Sequence, residues 1–206
     1  MKPEEKWLKW IMELQALAQA GEFYGRDKFD LERYSRIREI SAEMLSAMTD
    51  LPLDMVKDVF CCEVGYQTPK LDTRAAIFQD DKILLVQESD GRWSMPGGWV
   101  DYDLSVKENT VKEVKEEAGL DVTADYIIAV QDREKHNQPR YIYKVCKVFV
   151  MCSLLGGSFA RNIETLGSGW FSLEELPELA EPKVNAEQIA MCFDAYRSER
   201  WTPVFD

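Results

Sequence analysis

Residues 97–120 read GGWVDYDLSVKENTVKEVKEEAGL, and they set three carboxylates, Glu113, Glu116 and Glu117, between a Pro-Gly-Gly turn and a glycine stop. Ser105 and Glu108 stand in the S-x-x-E spacing of a capping box, which predicts a helix from near Val106. Gly119 ends it. On that helix Glu113 lies beside Glu116 and Glu117, three and four positions away, while Val111, Val114 and Ala118 share another face that can pack on a sheet. Like charges at this spacing destabilise a helix unless something offsets them, and a hard divalent cation bound by carboxylate oxygens would do so. Taken alone, KEVKEE also reads as a solvated face laced with pairs such as Glu108–Lys112. The preceding SMPGGWV decides between the two readings. Its glycines leave backbone groups unshielded, so a metal or phosphate can approach closely.

Outward from this helix the period is that of strands. TRAAIF and KILLVQE flank Gln79-Asp80-Asp81, a hairpin signal, and Ser89-Asp90-Gly91 turns the chain before RWSM. VTADYIIAV and YIYKVCKVFVMCSLL are rich in β-branched and aromatic residues, with Gly156-Gly157 as the next turn. Two helices follow, a short one near Leu173–Leu176 and one from Ala186 to about Arg197. Strands, a central helix, strands and a closing helix predict a layered α+β domain over residues 65–206.

Residues 1–64 carry helical period alone. Trp7, Ile11, Leu14 and Ala18 recur along a first helix, with Gly21 placed to stop it. Asp30 is placed to cap a second helix, along which Tyr34, Ile37, Met44 and Met48 mark an apolar face. Pro52 suits the first turn of a third, through about Cys61. Three such helices have little private core. A small all-helical domain over residues 1–64 that packs on the rest of the chain or on a second copy is expected, a homodimer being the reading taken.

The chain has 206 residues, 46% of them hydrophobic, enough for one domain and a small appendage. Its net charge of −12 argues against a stable complex with long nucleic acid, though not against a small phosphorylated substrate held through bridging metal. No apolar stretch reaches the length of a membrane helix, and the charged N-terminus does not read as a signal peptide, so a cytoplasmic protein is expected. Five cysteines without a C-x-x-C pair read as reduced, and a structural zinc is not expected.

The central stretch resembles the signature of the Nudix hydrolases: glycine, five residues, Glu, seven residues, then Arg-Glu-aliphatic-x-Glu-Glu-x-Gly-aliphatic. Aligned on Gly98, the chain supplies Glu113, Val114, Glu116, Glu117, Gly119 and Leu120 in place. It departs at Leu104, where the first Glu belongs, and at Lys112, which replaces the Arg. The resemblance implies a Nudix-type α/β/α sandwich with a mixed sheet. It also implies Mg²⁺, with Mn²⁺ as a substitute, held by Glu113, Glu116, Glu117 and the Gly97 carbonyl. The helical N-terminus resembles that of a subgroup cleaving nucleoside diphosphates linked to another group, such as ADP-ribose and CDP-choline. Leu104 removes any metal contact from that position, and Lys112 offers a flexible ammonium where arginine has a planar fork.

Glu164, six residues before Trp170 in a segment resembling the family's Glu-to-Trp-Phe run, is expected as general base or further metal ligand, with Glu134 and Glu187 as rivals. DREKHNQPR gathers Arg133, Lys135, His136 and Arg140, candidates for contacting phosphate or the terminal group of the substrate. Arg74 in the first strand is another, since a buried arginine needs a partner. Tyr24, Tyr66, Trp99 and Tyr102 remain open as stacking residues for a base. Two other readings stand beside the hydrolase of nucleoside diphosphate-X compounds. One is a non-catalytic, ligand-sensing Nudix domain, against which the retained carboxylates argue. The other is a hydrolase of short RNA ends or nucleoside triphosphates.

Overall fold

The computed structural model describes residues 3–160 and 165–206, and the chain divides into two compact units, Met1–Thr68 and Pro69–Asp206. The first unit consists of α1 (Pro3–Tyr24), α2 (Lys28–Thr49) and α3 (Leu53–Phe60). Ile11, Ala18, Ala42, Leu45, Val56 and Phe60 are buried, whereas Trp7 and Leu17 remain 51% and 64% exposed. Buried Gln19 donates to the Gly65 carbonyl at 2.9 Å and Gln15 to that of Phe60 at 3.3 Å, tying α1 to the last residue of α3 and to the chain beyond it.

Two local expectations are corrected. Gly21 does not stop α1. A Cβ there would sit 2.5 Å from the Tyr34 ring, so this glycine admits α2 rather than ending α1. The helix closes one turn later, where the Gly25 N–H donates to the Gly21 carbonyl at 2.8 Å. The cap of α2 is Asp27 and not Asp30: its Oδ1 accepts the N–H groups of Phe29 and Asp30 at 2.9 and 3.2 Å.

The second unit is built on a sheet of β1 (Lys70–Gln79), β2 (Lys82–Glu88), β3 (Trp93–Ser94), β4 (Leu120–Asp132), β5 (Val145–Gly157), β6 (Thr165–Phe171) and β7 (Val204–Phe205). Its order is β3-β2-β1-β5-β4-β7, with β6 paired to β2. The β1–β5 and β4–β7 pairs are parallel and the others antiparallel. Asp80 and Asp81 turn the β1–β2 hairpin with φ of 51° and 56°, the left-handed pair that a two-residue turn requires. The helix α4 (Val106–Ala118) lays Val114 and Ala118 on one face of the sheet, over Ala75, Ile77, Val148 and Val150. On the other face α6 (Ala186–Arg197) packs Ile189, Cys192 and Phe193 with Ala76, Leu85 and Phe149. Alternate residues of β1 thus feed opposite cores, as the two-residue period of a strand demands. The architecture is the expected α/β/α sandwich with a mixed sheet.

The expected strand YIYKVCKV is shorter than its composition suggests, because β5 begins at Val145 and residues 141–144 run outside it. Two strands, β6 and β7, and the four-residue helix α5 (Arg133–His136) carried no strong local signal.

Candidate functional site

The helix α4 forms as its sequence dictates. Ser105 Oγ accepts the Glu108 N–H at 3.3 Å, and the Glu108 carboxylate accepts the Ser105 N–H at 2.9 Å, a reciprocal cap worth about 1 kcal/mol. Gly119 closes the helix at φ 69°. Its position over β1 is fixed by Asn109, whose amide donates to Thr73 Oγ1 at 2.9 Å and accepts the Asp101 N–H at 3.3 Å. Nothing in the local sequence singled out Asn109 for this role.

The Pro-Gly-Gly ribbon lies along the edge of β1. Ala75 N–H donates to the Pro96 carbonyl and Thr73 N–H to the Gly98 carbonyl, at 2.8 and 2.9 Å. Between them, Gly97 turns its own N–H to Glu117, donating to Oε2 at 2.8 Å. This bond is the direct link between the ribbon and the carboxylate helix.

Glu113 and Glu117 are buried, at 9% and 6% exposure, whereas Glu116 is exposed. Burial pushes the Glu117 carboxyl up to about 7, against the pull of Arg74 and the Gly97 N–H. Burial also raises Glu113, with Lys112 opposing and Glu116 adding to the rise. The ammonium of Lys112 stands 3.0 Å from Glu116, 3.5 Å from Glu113 and 3.3 Å from Asp101, and the bond to Glu116 holds its proton more tightly than usual. Lys112 therefore bridges three carboxylates, two of them on its own helix. Among the described residues no three acidic, histidine or cysteine side chains converge closely enough to hold an ion as they stand. The donor set still fits a hard cation: two buried carboxylates resist ionisation until positive charge arrives, and Gly98 leaves the Glu113 carboxylate approachable, 3.1 Å from where a Cβ would be.

These residues form one wall of a cavity of about 600 Å³. The same cavity is also lined by cations. Arg74 forks onto Asp72 with two bonds of 2.9 Å, and Arg133 and Lys147 stand beside them. Of the candidates in the DREKHNQPR stretch, the structure brings Arg133 to this cavity but not Lys135 or His136. His136 Nε2 lies 2.7 Å from Asp206, and Lys135 Nζ lies 3.8 Å from the same carboxylate, because α5 turns them toward the C-terminus. Asp72 and Lys147 were not foreseen. They face each other across the parallel β1–β5 register, and no local pattern reveals that pairing. Trp99 and Tyr141 line the mouth, Tyr102 is fully exposed elsewhere, and Tyr24 and Tyr66 belong to the first unit. Glu164 lies outside the described residues. Its rival Glu134 is tied to Lys144 at 2.8 Å and is not part of the cavity lining.

Residues 69–192 match the NUDIX domain, and residues 5–60 match a UDP-X-like N-terminal oligomerisation domain. A Bacillus subtilis protein provisionally named an ADP-ribose pyrophosphatase is 38% identical over the full length of both chains. The crystal structure of an ADP-ribose pyrophosphatase from Streptococcus suis is 62% identical, covering 68% of this chain and all of its own, with a TM-score of 0.64. That of a UDP-X diphosphatase is 31% identical over 99% of this chain and all of its own, also at 0.64.

Proposed function

The chain belongs to the Nudix hydrolase family, and on that premise we propose that it cleaves the diphosphate of nucleoside diphosphate-X compounds with a divalent metal, giving a nucleoside monophosphate and phosphorylated X. One observation carries this reading: Glu113, Glu116 and Glu117 share the lining of a cavity sized for a small ligand with Arg74, Arg133 and Lys147. The full-length likeness to proteins named for ADP-ribose and UDP-X substrates supports it.

Glu113, Glu116 and Glu117, with the Gly97 carbonyl, would hold Mg²⁺. The ion would supply charge neutralisation at the diphosphate and acidify a bound water. Glu116 would turn from Lys112 to join it. Arg74, already locked by Asp72, presents a fixed positive field at the phosphates without reorganisation. Water attacks phosphorus, its oxygen forms the new bond, and the bridging oxygen leaves with the second phosphate. Glu164 is assigned as acceptor of the water's proton, and Glu164→Gln against Glu134→Gln tests that assignment: loss of turnover confined to the second variant would overturn it.

The decisive experiment incubates the full chain with Mg²⁺ and ADP-ribose, CDP-choline or a UDP-sugar, identifying products by mass spectrometry. A nucleoside monophosphate with phosphorylated X is expected. Faster release of pyrophosphate or inorganic phosphate from nucleoside triphosphates would replace this reading with the triphosphate one.

Lys112→Ala should raise the Mg²⁺ concentration for half-maximal rate about two- to fivefold, the worth of a partly exposed ion pair, and Lys112→Arg should not. An unchanged requirement in the alanine protein would make Lys112 a surface charge.

A cytoplasmic homodimer is proposed. Trp7, Trp10, Leu17 and Phe23 are 41–64% exposed on α1, within the residues that match the oligomerisation domain. A monodisperse monomer in light scattering at micromolar concentration would exclude the dimer.

A further inference from the structure

Two buried cations of the cavity lining, Lys147 and Arg133, have no carboxylate within hydrogen-bond distance among the described residues. Lys147 is 2% exposed, in the middle of β5. Its ammonium donates to the Lys183 carbonyl and lies 3.9 Å from Asp72 Oδ2, too far for a hydrogen bond. Both oxygens of Asp72 are already taken by the Arg74 fork. Arg133 is 5% exposed. Its Nε donates to the Pro182 carbonyl at 3.1 Å and its Nη1 to that of Pro139 at 3.0 Å, while Nη2 has no hydrogen-bond partner among the described residues. Carbonyl oxygens satisfy donors but do not balance charge. Among the described residues the one carboxylate within ion-pair distance of Arg74 and Lys147 is Asp72, with the buried Glu117 also acting on Arg74 at longer range. Burial, then the neighbouring Arg74, pushes the Lys147 ammonium down to about 7, against the pull of Asp72 and with Arg133 and Lys183 adding to the repulsion. A buried charge is ordinarily paired or neutralised, and an anion entering the cavity would supply the closer pairing that Asp72, already forked by Arg74, does not.

This part of the lining is also held rigid. The Gln188 amide donates to Gln131 at 2.9 Å and to Asn137 at 3.0 Å, and Asn137 in turn donates to the Glu181 carbonyl at 2.9 Å. This buried amide network joins the segment that carries Arg133 to the segment that supplies the Pro182 and Lys183 carbonyls. The cations are therefore fixed in place before a ligand arrives, which lowers the cost of binding one. Arg133 also stacks over Tyr141, its guanidinium carbon 5.3 Å from the ring centre, so the fork has a fixed plane.

We propose that Lys147 and Arg133 form a metal-independent anion subsite that holds a phosphate of the substrate and, after cleavage, the phosphate of one product. The proposal deepens the reading of the cavity as a diphosphate site, on which it rests for the identity of the occupant. Its chemistry differs from that of the carboxylates: the subsite needs no ion. Truncation of Lys147 should raise KM more than it lowers kcat.

The test titrates the full chain, stripped of metal by excess EDTA, with inorganic phosphate at pH 7 in a calorimeter. The wild type should bind it. Lys147→Met and Arg133→Gln should each weaken that binding by about tenfold or more, the worth of one charge-assisted hydrogen bond. Glu117→Gln should bind phosphate at least as well as the wild type, since it removes a nearby negative charge. Lys147→Met replaces a buried ammonium by an apolar chain of similar length, so its unfolding midpoint should not fall. Arg133→Gln sacrifices two carbonyl bonds, and if it does not fold the methionine variant decides alone. Absence of phosphate binding by the wild type in EDTA would overturn the proposal, as would equal binding by the wild type and Lys147→Met. Because no turnover is measured, failure to hydrolyse nucleoside diphosphate-X compounds would leave this result readable.

Discussion

Glu117→Gln is expected to lower kcat by roughly three orders of magnitude at saturating Mg²⁺ while making the metal-free protein more stable at pH 8. The amide keeps the shape and can still accept the Gly97 N–H that now reaches Oε2 at 2.8 Å, so the ribbon stays joined to α4. What is lost is the charge. Burial raises the Glu117 carboxyl to about 7 from the ordinary 4.5, so the folded protein binds a proton here that the unfolded chain has already released. Stability from this group is present below about pH 4.5 and is lost as pH rises through 7, by about 3 kcal/mol at pH 8. Glutamine does not titrate. In EDTA the variant should therefore melt above the wild type at pH 8, and the gap should close toward pH 4.5. Mg²⁺ should raise the wild-type midpoint and leave that of the variant nearly unmoved. A folded variant with near wild-type turnover would remove Glu117 from the chemistry. A variant that melts below the wild type at pH 8 without metal would show that the carboxylate is not held at a cost.

The site was legible where its signals are local. A capping box, a glycine stop and two apolar positions on one face specify α4 within a dozen residues, and they recur unchanged in the fold. The Asp80-Asp81 turn was legible for the same reason. The cationic part of the lining was not. Lys147 sits among β-branched residues, where a lysine reads as the outward half of an alternation. Its burial follows from the parallel register that sets it opposite Asp72, and that register depends on strand order across the whole domain. The basic stretch 132–140 misled in the opposite way. Its charges are close in sequence, yet α5 sends Arg133 to the cavity and Lys135 and His136 to Asp206. Likewise β6 contains two glycines and a serine in seven residues, a poor strand by propensity, formed because β2 offers it an edge. In the first unit Gly21 obeys the same logic: a glycine marks close approach or a stop, and the Tyr34 ring decides which.

Gly97→Ala is expected to be the most disruptive single methyl in the second unit. The residue holds φ at 142°, a conformation that L side chains rarely adopt, and a Cβ there would lie 1.9 Å from the Thr73 carbonyl oxygen and 2.8 Å from its carbon. Both are backbone atoms of β1, the strand between β2 and β5, so neither can swing aside as a side chain would. Relief requires the ribbon to move off β1, at the expense of the Thr73–Gly98 and Ala75–Pro96 bonds and the Gly97–Glu117 bond. A loss of about 3 kcal/mol or more in stability should follow, with turnover falling at least as far as in Glu117→Gln. Two neighbours separate the causes. Gly91 shares a positive φ of 88° but has nothing within 4 Å, so Gly91→Ala should cost about 1 kcal/mol, from strain alone. At Gly98 the added Cβ meets Glu113 Oε2 at 3.1 Å, the end of a side chain that can turn, so Gly98→Ala should fold and lose activity by displacing that carboxylate. Denaturant unfolding of the three variants, read beside their kcat, checks the order. If Gly97→Ala unfolds no more easily than Gly91→Ala, the ribbon is not seated on β1 as described, and Gly97 has no part in aligning Glu117.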